Sequence, residues 1–571
     1  MCLLFTHYCA VLLGKASFPF HSFDLICSVP SSTLPREVLH VHLFPPSYIF
    51  RAFTYNCRTS PNLIRRYGAN GGGAAAAEHF AGKAMARILE ALDAPQLPDI
   101  QALCLLVIHE WGSKNAVRAY AYLGLATRML QMHRIIHGNL QPDDNRFLKE
   151  ESFRRTLWLI FVLDCFLTST PGRYPALTTS DYAGVALPCN DINFAFGNST
   201  FVETLLHRPP SGMPDGAQLG EVGEFGHIVL ATSTWREVVQ MLVTSSIETF
   251  NESSCADLIN IIDTLRSNLP LQYVEKTGQI QLHITMGSGL TYAFLHCLLH
   301  CATIFVYRRR LLQSIASPNV NVDLWRTSPH CHEIVDRLMS SCHSAMSLLT
   351  ALNAGSDKES LVSYPIFMLF AAFTSSSTTA YISMKGLTPP NSVETAASIV
   401  REGLHFMQGS LEVWPLIGMW YHHLSVMQRV LNNDGNAVTA PGSAHMGGSP
   451  SVKDEAGSNQ GAGDEMDTTG GGNQNDSVSG SIRGESEPPV PARKSGFSAI
   501  NGGGSAGVST PATGTPPPAE GTPAPGSASG PKPEASQPAP QNDMTAVELC
   551  EAFERQLLGQ DDLAAFMGGG V

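Results

Sequence analysis

Apolar residues recur every three or four positions across most of residues 74–431, whereas few stretches alternate apolar and polar residues. A period of about 3.6 residues is typical of amphipathic helices, and alternation is typical of strands. In residues 115–137, for example, Ala116, Leu123 and Leu130 share one face, and Gly138 follows as a stop signal. The pattern predicts helices over residues 78–94, 101–111, 115–137, 153–167, 228–250, 257–269, 290–313, 332–352, 365–384, 392–409 and 416–431. We therefore predict an all-α fold, a large multi-helix bundle around one core.

Composition divides the 571 residues into four segments. Residues 1–75 have no helical or strand period, so we predict an irregular N-terminal segment and favour a mis-called start over a secretory signal. Residues 76–431 form the predicted helical domain. Residues 432–540 are mainly glycine, serine, proline, alanine and asparagine, which bury too little apolar surface to fold, so we predict a disordered linker.

Residues 541–571 regain a helical pattern after that linker. Thr545 and Glu548 form a capping-box pattern, and the segment is acidic. The apolar residues predicted to share one face are Val547, Cys550, Phe553 and Leu557. Two interpretations remain open. The helix either docks back on the bundle, or it is an activation region whose anchors Val547, Phe553 and Leu557 enter the groove of a partner.

The charge and the motifs exclude several classes of function. With 36 basic and 49 acidic residues the formal net charge is −13, which excludes a purely electrostatic nucleic-acid binder. The 13 cysteines are scattered, which favours reduced, buried thiols. The sequence has no phosphate-binding loop, zinc-protease motif or dinucleotide fingerprint, so we predict no enzyme and no cofactor. Histidines and cysteines in "HCLLHC" (296–301) could hold a metal ion, but core packing is the favoured interpretation.

Two uncharged stretches, residues 290–307 and 361–384, approach the roughly 20 residues that span a bilayer. An integral membrane protein is therefore the alternative hypothesis. Central helices of a large bundle are also apolar all round, and we favour that interpretation.

The densest motif lies in residues 151–188, where an acidic residue, an arginine pair, a tryptophan and an aspartate precede a Gly-Arg loop and a proline exit. A related run precedes it over residues 101–129. This order resembles the fungal-specific transcription factor domain, the central regulatory domain of fungal zinc-cluster transcription factors. The matching positions are Gln101, Gly124, Arg128, Arg154, Arg155, Trp158, Asp164, Gly172, Arg173, Pro175 and Pro188.

The resemblance implies a nuclear regulator of RNA polymerase II transcription. By resemblance alone its partner is DNA. Transcriptional co-regulators would bind the C-terminal segment, a homodimer is a further expectation, and no membrane association is expected. The DNA reader of this class uses two C-x-x-C units that hold zinc, and this sequence contains no C-x-x-C. Zinc is therefore expected only if such a cluster exists in the native protein outside these residues.

The motif residues are interpreted as structural. Arg154 and Arg155 follow Glu150 and Glu151 at helical spacing, so local ion pairs are expected. Asp164 lies ten residues beyond Arg154, about 15 Å along a helix axis, so those two side chains cannot pair. The predicted partner of Asp164 is Arg173, which the loop would fold back.

Overall fold

The computed structural model describes residues 61–68, 71–138, 146–246, 249–315, 327–355, 364–438 and 545–568. Most of the predicted irregular start, residues 1–60, lies outside this part of the chain. So do residues 439–540 of the predicted linker and the first four residues, 541–544, of the predicted C-terminal segment.

Helices account for the architecture of the described residues. Their bounds are α1 (Pro61–Tyr67), α2 (Gly72–Glu90), α3 (Leu97–Gly112), α4 (Ala116–His137), α5 (Arg146–Leu167), α6 (Thr179–Tyr182), α7 (Asp191–Phe196), α8 (Glu224–Thr244), α9 (Glu252–Asn268), α10 (Gln279–Thr285), α11 (Gly289–Ile315), α12 (Pro329–Ala354), α13 (Ile366–Met384), α14 (Val393–Gln408), α15 (Gly418–Val438), α16 (Ala546–Leu558) and α17 (Asp561–Met567). Within these ranges there is no strand, only three isolated β-bridges. The predicted all-α class is confirmed.

Helix starts follow local capping chemistry. The side chain of Asn251 accepts a hydrogen bond from Ser254 N at 2.9 Å and caps α9. Thr545 and Glu548 form the predicted capping box at the start of α16, where Thr545 N donates to the Glu548 carboxylate at 2.9 Å. Such side chains satisfy N–H groups that have no partner within the helix.

The observed bounds differ from the predicted ones at several ends. Helix α15 runs to Val438, seven residues past the predicted end at residue 431, and α2 begins at Gly72. Helix α8 ends at Thr244, since Ser245 is extended. The sequence pattern missed α1, α6, α7 and α10, which have four to seven residues each. Helices this short span fewer than two full turns and show little of the repeat on which the prediction depends.

The two helices that contain the long uncharged stretches, α11 and α13, lie at the centre of the bundle. Both are long and apolar enough to cross a membrane, but 94% of the apolar window of each is buried inside the protein. Helix α11 packs against α8 and α12, and α13 packs against α12, α14 and α15. Protein side chains therefore surround both helices, which favours the bundle over the membrane alternative.

The C-terminal helices α16 and α17 complete this core. Their buried apolar side chains are Leu549, Cys550, Phe553, Leu557, Leu563, Phe566 and Met567. The Phe566 ring is fully buried, with its centroid 4.4 Å from that of Phe370 and 5.0 Å from that of Trp111. Phe566 is therefore a core residue, although more than 100 residues of chain separate α17 from α15.

Replacing Phe566 with alanine should lower the free energy of unfolding of the full chain by about 3–5 kcal/mol, the cost of a large buried cavity. The control is Val547→Ala in α16, where the side chain is 66% exposed and a change within about 0.5 kcal/mol is expected. Urea unfolding followed by circular dichroism measures both. Equal, small effects would show that α17 does not belong to the core.

Candidate functional site

Side chains of α5 bind the backbone of the segment that follows it, residues 176–189, which we call the return segment. Glu151 accepts a hydrogen bond from Cys189 N at 3.0 Å, and Arg155 Nη2 donates to Cys189 O at 2.8 Å. Arg155 Nε also donates to Glu151 at 2.9 Å, and both side chains are 0% exposed. A buried ion pair thus holds the start of α5 to the end of the return segment.

Two further contacts extend this arrangement along the helix. Trp158 Nε1 donates to Ala186 O at 2.7 Å. The Asp164 carboxylate accepts hydrogen bonds from Ala176 N at 3.0 Å and Leu177 N at 3.1 Å. Later residues of α5 therefore contact earlier residues of the return segment, which runs antiparallel to the helix. We call Glu151, Arg155, Trp158 and Asp164 the α5 clamp.

The predicted ion pair between Asp164 and Arg173 is wrong. Two backbone N–H groups occupy the buried Asp164 carboxylate, and Arg173 turns away from it. The Arg173 guanidinium lies over the Tyr120 ring, 5.2 Å from its centroid, and is 3.5 Å from Leu167 O. Backbone N–H groups of the loop donate the hydrogen bonds that this carboxylate accepts, so no cation is needed to satisfy it.

The expected local ion pairs form, but Arg154 and Arg155 both pair with Glu151 and neither pairs with Glu150 in the contacts observed. Arg154 Nη2 lies 2.7 Å from the second oxygen of Glu151, so that carboxylate joins both arginines. Glu150 instead pairs with Arg146 at 2.7 Å on the surface.

Other motif residues support the clamp or lie apart from it. Gln101 Nε2 donates to Thr156 Oγ1 at 3.1 Å and joins α3 to α5. The carbonyl of buried Pro188 accepts from Gly223 N at 2.9 Å, which holds the return segment to the start of α8.

The remaining motif positions lie away from these contacts. Gly124 is half-buried on α4, where an added Cβ would meet no atom within 4 Å, and Arg128 is exposed and donates to Gln131. Gly172 has φ +80°, which a turn requires of glycine, and Pro175 is exposed in the same loop.

Sequence reasoning missed the acidic partner of Arg155 on α7. Arg155 Nη1 lies 2.7 Å from the Asp191 carboxylate, and its guanidinium covers the Phe194 ring at 4.3 Å. Burial opposes the charge of Arg155, but Asp191 and Glu151 outweigh it and raise its pKa. The feature of the sequence that could have indicated α7 is Asn190, a residue type that often caps helices. Its side chain accepts a hydrogen bond from Ile192 N at the start of α7.

Glu224, at the start of α8, lies close enough to Asp191 for the two charges to interact. The sequence pattern did not indicate this residue. Burial, and then the negative charge of Asp191, raise the pKa of Glu224 to about 7. The clamp region therefore holds a carboxyl group that titrates near neutral pH.

Arg236 of α8 contacts both α5 and the return segment. Its Nη2 atom is 3.3 Å from the Tyr182 hydroxyl, and its guanidinium covers the Phe161 ring at 4.7 Å. Burial raises the pKa of Asp164, while the two backbone hydrogen bonds and the charge of Arg236 oppose that rise. Arg236 thus joins α8 to α5 through the Phe161 ring and to α6 through the Tyr182 hydroxyl.

This arrangement fixes shape and presents no nucleophile paired with a base. Each charged group of the clamp has a partner, so none is free to bind a substrate. The described cysteines are all buried, and none forms a disulfide: Cys104, Cys165, Cys189, Cys255, Cys297, Cys301, Cys331, Cys342 and Cys550. Burial raises the pKa of the Cys165 thiol to about 12, whereas a zinc cluster needs thiolates. Among the described residues, the one group of ligand atoms with metal-binding spacing contains no cysteine.

The proposed activation anchors lie against the bundle. Phe553 and Leu557 are 1% and 4% exposed, and the Phe553 ring lies 5.7 Å from that of Tyr381. Val547 is 66% exposed, so its predicted place on this face is wrong, and Leu549 is buried instead. Of the two open interpretations, the structure shows the docked helix.

Polar contacts fix the docked segment at several points. Asp562 forms a buried ion pair with Arg308 of α11. Glu554 accepts a hydrogen bond from the Tyr381 hydroxyl at 2.6 Å and pairs with Lys385 at 2.6 Å. These bonds select one register of α16 and α17 on the bundle.

Two tryptophans bind the end of this segment through its backbone. Trp111 Nε1 donates to Phe566 O at 2.8 Å, and Trp420 Nε1 donates to Ala565 O at 3.3 Å. The last carbonyls of a helix lack partners within it, so these indoles satisfy groups that would otherwise be buried alone.

Residues 67–268 match the family described as "Fungal specific transcription factor domain". This range includes α2 to α9 and the whole α5 clamp. The resemblance found in the sequence is therefore confirmed for residues 67–268.

Curated relatives agree with this match. The Zn(2)-C6 fungal-type transcription factor FTF1c of Fusarium oxysporum f. sp. lycopersici is 27% identical over 228 residues, 36% of this chain and 24% of that protein. The tropolone cluster transcription factor tropK of Talaromyces stipitatus is 28% identical over 182 residues, 31% of each chain. An uncharacterized transcriptional regulatory protein of Schizosaccharomyces pombe is 22% identical over 297 residues, 47% of this chain and 42% of that protein. The chain thus spans less than half the length of these relatives. No solved structure matches it.

Removing the clamp guanidinium should destabilise the domain strongly. Arg155→Met leaves the buried Glu151 and its neighbour Asp191 without this cation, and we expect a loss of about 3–5 kcal/mol in the free energy of unfolding. The matched control, Arg146→Met, breaks an exposed pair and should cost less than about 1 kcal/mol. Denaturant unfolding compares the two, and similar losses would refute the role of the buried pair.

Glu224 should make stability depend on pH. Its folded-state pKa of about 7 exceeds the ordinary 4.5, so the folded protein binds the extra proton between these values. The free energy of unfolding should therefore fall as the pH rises through this window, by on the order of 2 kcal/mol. Glu224→Gln should remove that fall, whereas Glu394→Gln, at an exposed position, should keep it. Urea unfolding between pH 5 and pH 8 measures the slopes, and parallel slopes for all three proteins would refute the assignment.

Proposed function

We propose that this protein is a nuclear regulator of RNA polymerase II transcription in a fungus, and that it acts as a binding protein, not an enzyme. The observation that carries the proposal is the match of residues 67–268 to the transcription factor domain family. The clamp supports it, since its charged residues bind backbone and one another.

DNA is the proposed target through the relatives whose names state a Zn(2)-C6 type. Zinc-cluster binding would need paired thiolates. Among the described residues, no cysteine belongs to a group of ligand atoms with metal-binding spacing. We therefore place DNA contact outside the helical domain, either in a zinc cluster of the native protein or in a partner. A homodimer is part of the proposal because it would position two DNA readers together.

Transcriptional co-regulators are the proposed partners of the C-terminal segment. An acidic amphipathic helix binds a groove through its apolar face. In this protein that face contains Phe553 and Leu557, which the bundle covers. Docking on the bundle and binding of a co-regulator would therefore exclude one another, so the helical domain would hold the activation segment inactive.

Fusion to a heterologous DNA-binding domain tests this proposal. Residues 541–571 alone should activate a reporter, and Phe553→Ala with Leu557→Ala should abolish that activity. The intact chain in the same fusion should activate several-fold less. Arg308→Met, which leaves Asp562 without its buried partner, should raise the activity of the intact chain.

The arms of this experiment separate the two parts of the proposal. An inert 541–571 fusion would remove the activation role. An intact chain as active as the free segment, at equal protein level, would remove the holding role and leave activation standing. A tagged chain excluded from the nucleus would contradict the function as a whole.

A further inference from the structure

Helix α4 is mainly apolar on two opposite faces. Its inner face is buried in the bundle and consists of Ala116, Ala119, Leu123, Ala126, Thr127, Met129 and Leu130. Residues at spacings of three or four form a second face, which we call the α4 outer face: Val117, Ala121, Gly124, Arg128, Met132 and Ile135. A surface helix ordinarily turns polar residues outward, and a helix that is apolar all round is ordinarily covered. The α4 outer face therefore has the composition of a buried face.

The apolar side chains of this face are nevertheless exposed. Val117, Met132 and Ile135 are 65%, 47% and 75% exposed, and Ile136, at the edge of the face, is 49% exposed. Single apolar residues are normal on a protein surface, whereas a contiguous apolar patch marks an interaction site. From Val117 to Ile136 the helix rises by roughly 28 Å, which is enough for about five turns of a second helix.

Helix α2 lies beside α4 and extends the apolar surface. The Glu78 carboxylate lies 3.2 Å from Arg118 Nη1, and Pro95 O, beyond the end of α2, lies 3.0 Å from His133 Nδ1. The two helices therefore run in the same direction, with the end of α2 beside the end of α4. The exposed apolar side chains near the end of α2 are Leu89 and Leu92.

Two motif positions that the α5 clamp does not use lie on the α4 outer face. Gly124 is at its middle, and an added Cβ there would meet no atom within 4 Å. Arg128 donates to Gln131 at 2.9 Å. The packing of the domain requires neither a glycine nor an arginine at these positions. Contact with another molecule would use both, since glycine admits a close backbone approach and arginine binds carboxylates.

The charge of α4 contrasts with that of the whole chain. The helix has three arginines and no acidic residue, whereas the chain has a formal net charge of −13. Arg118 pairs with Glu78 and Glu110. Arg128 and Arg134 form no ion pair with any described residue and donate instead to a glutamine side chain and a backbone carbonyl. An acidic partner would complement this charge.

The bundle already binds one acidic amphipathic helix by this chemistry. The apolar face of α16 is buried, Glu554 pairs with Lys385 at 2.6 Å, and Asp562 pairs with Arg308. The α4 outer face offers the same two components, which are apolar side chains and an arginine. Within the described part of the chain no helix covers it, as the exposure of Ile135 shows.

We propose that the α4 outer face binds an acidic amphipathic helix of a partner protein. The apolar residues of that helix, spaced at i, i+3 or i+4 and i+7, would cover Met132 and Ile135, and one of its carboxylates would pair with Arg128. A second copy of this chain fits less well, because α4 against α4 would bring like charges together. A nucleic acid would leave the apolar residues uncovered. The proposal adds a partner surface and does not rest on activation by the C-terminal segment.

The test measures binding of a fluorescein-labelled peptide, residues 541–571, to the intact chain by fluorescence anisotropy. This peptide has the required acidic amphipathic sequence, and in the intact chain its own docking site is occupied. Met132→Ser combined with Ile135→Ser should weaken saturable binding by about 10-fold or more, and Arg128→Glu by about 10-fold. The control is Leu271→Ser in the loop between α9 and α10, where the side chain is 80% exposed, and it should bind as the parent does.

A second peptide separates charge from apolar contact. With Glu548→Lys, Glu551→Lys and Glu554→Lys the peptide should bind the parent chain about 10-fold more weakly. The substituted side chains of α4 are exposed, so circular dichroism and urea unfolding of the variants should match those of the parent.

Each outcome decides the proposal. Weaker binding by the outer-face variants alone supports it. No saturable binding up to about 1 mM peptide would overturn it. Binding that no outer-face variant changes would show that the peptide had exchanged into the α16 site, and would also overturn it. So would a dimer, seen by analytical ultracentrifugation, that Met132→Ser with Ile135→Ser converts to monomer, or binding of duplex DNA that Arg128→Glu abolishes, because either result assigns the face to another occupant.

Discussion

The buried ion pair of Glu151 and Arg155 is the constraint on which the domain's centre depends. Two charges without solvent are costly unless each hydrogen bond is made. Here the backbone of Cys189 supplies a donor to one and an acceptor to the other. The pair therefore holds α5 and the return segment in a single register. Because Pro188 O of the return segment accepts a hydrogen bond from Gly223 N, the return segment is also joined to the start of α8, which packs against the central helix α11.

Buried polar contacts also fix the position of the C-terminal segment. Apolar burial of Phe553 and Phe566 supplies most of the attraction, and it is not directional. Direction comes from the polar contacts, namely Asp562 with Arg308 and the two tryptophan hydrogen bonds to backbone carbonyls. A long connection in sequence costs little extra, since loop-closure entropy rises slowly with length. A segment at the chain's far end can thus belong to the core of the domain.

These two features suit a regulator. The clamp fixes α5 against the return segment, whereas the docked segment is held by its own side-chain and backbone contacts with the bundle. A scaffold of this kind can expose or cover a binding helix without changing its own fold, because the clamp contacts lie on α5 and the docking contacts lie mainly on α11, α13 and α15. The regulation by exposure proposed above needs no chemistry at the arginines, in agreement with their backbone contacts.

The sequence by itself determined the all-α class, the long helices, the capping box at Thr545 and the structural role of the arginine pair, because periodicity and capping are local properties. The tertiary structure alone decided which partners the polar groups take. Asp164 binds backbone N–H groups and not Arg173, Val547 faces solvent, and Glu275 meets histidines more than 20 residues away. A polar group binds whatever partner the packed helices bring nearest, and that choice depends on contacts that no local pattern records.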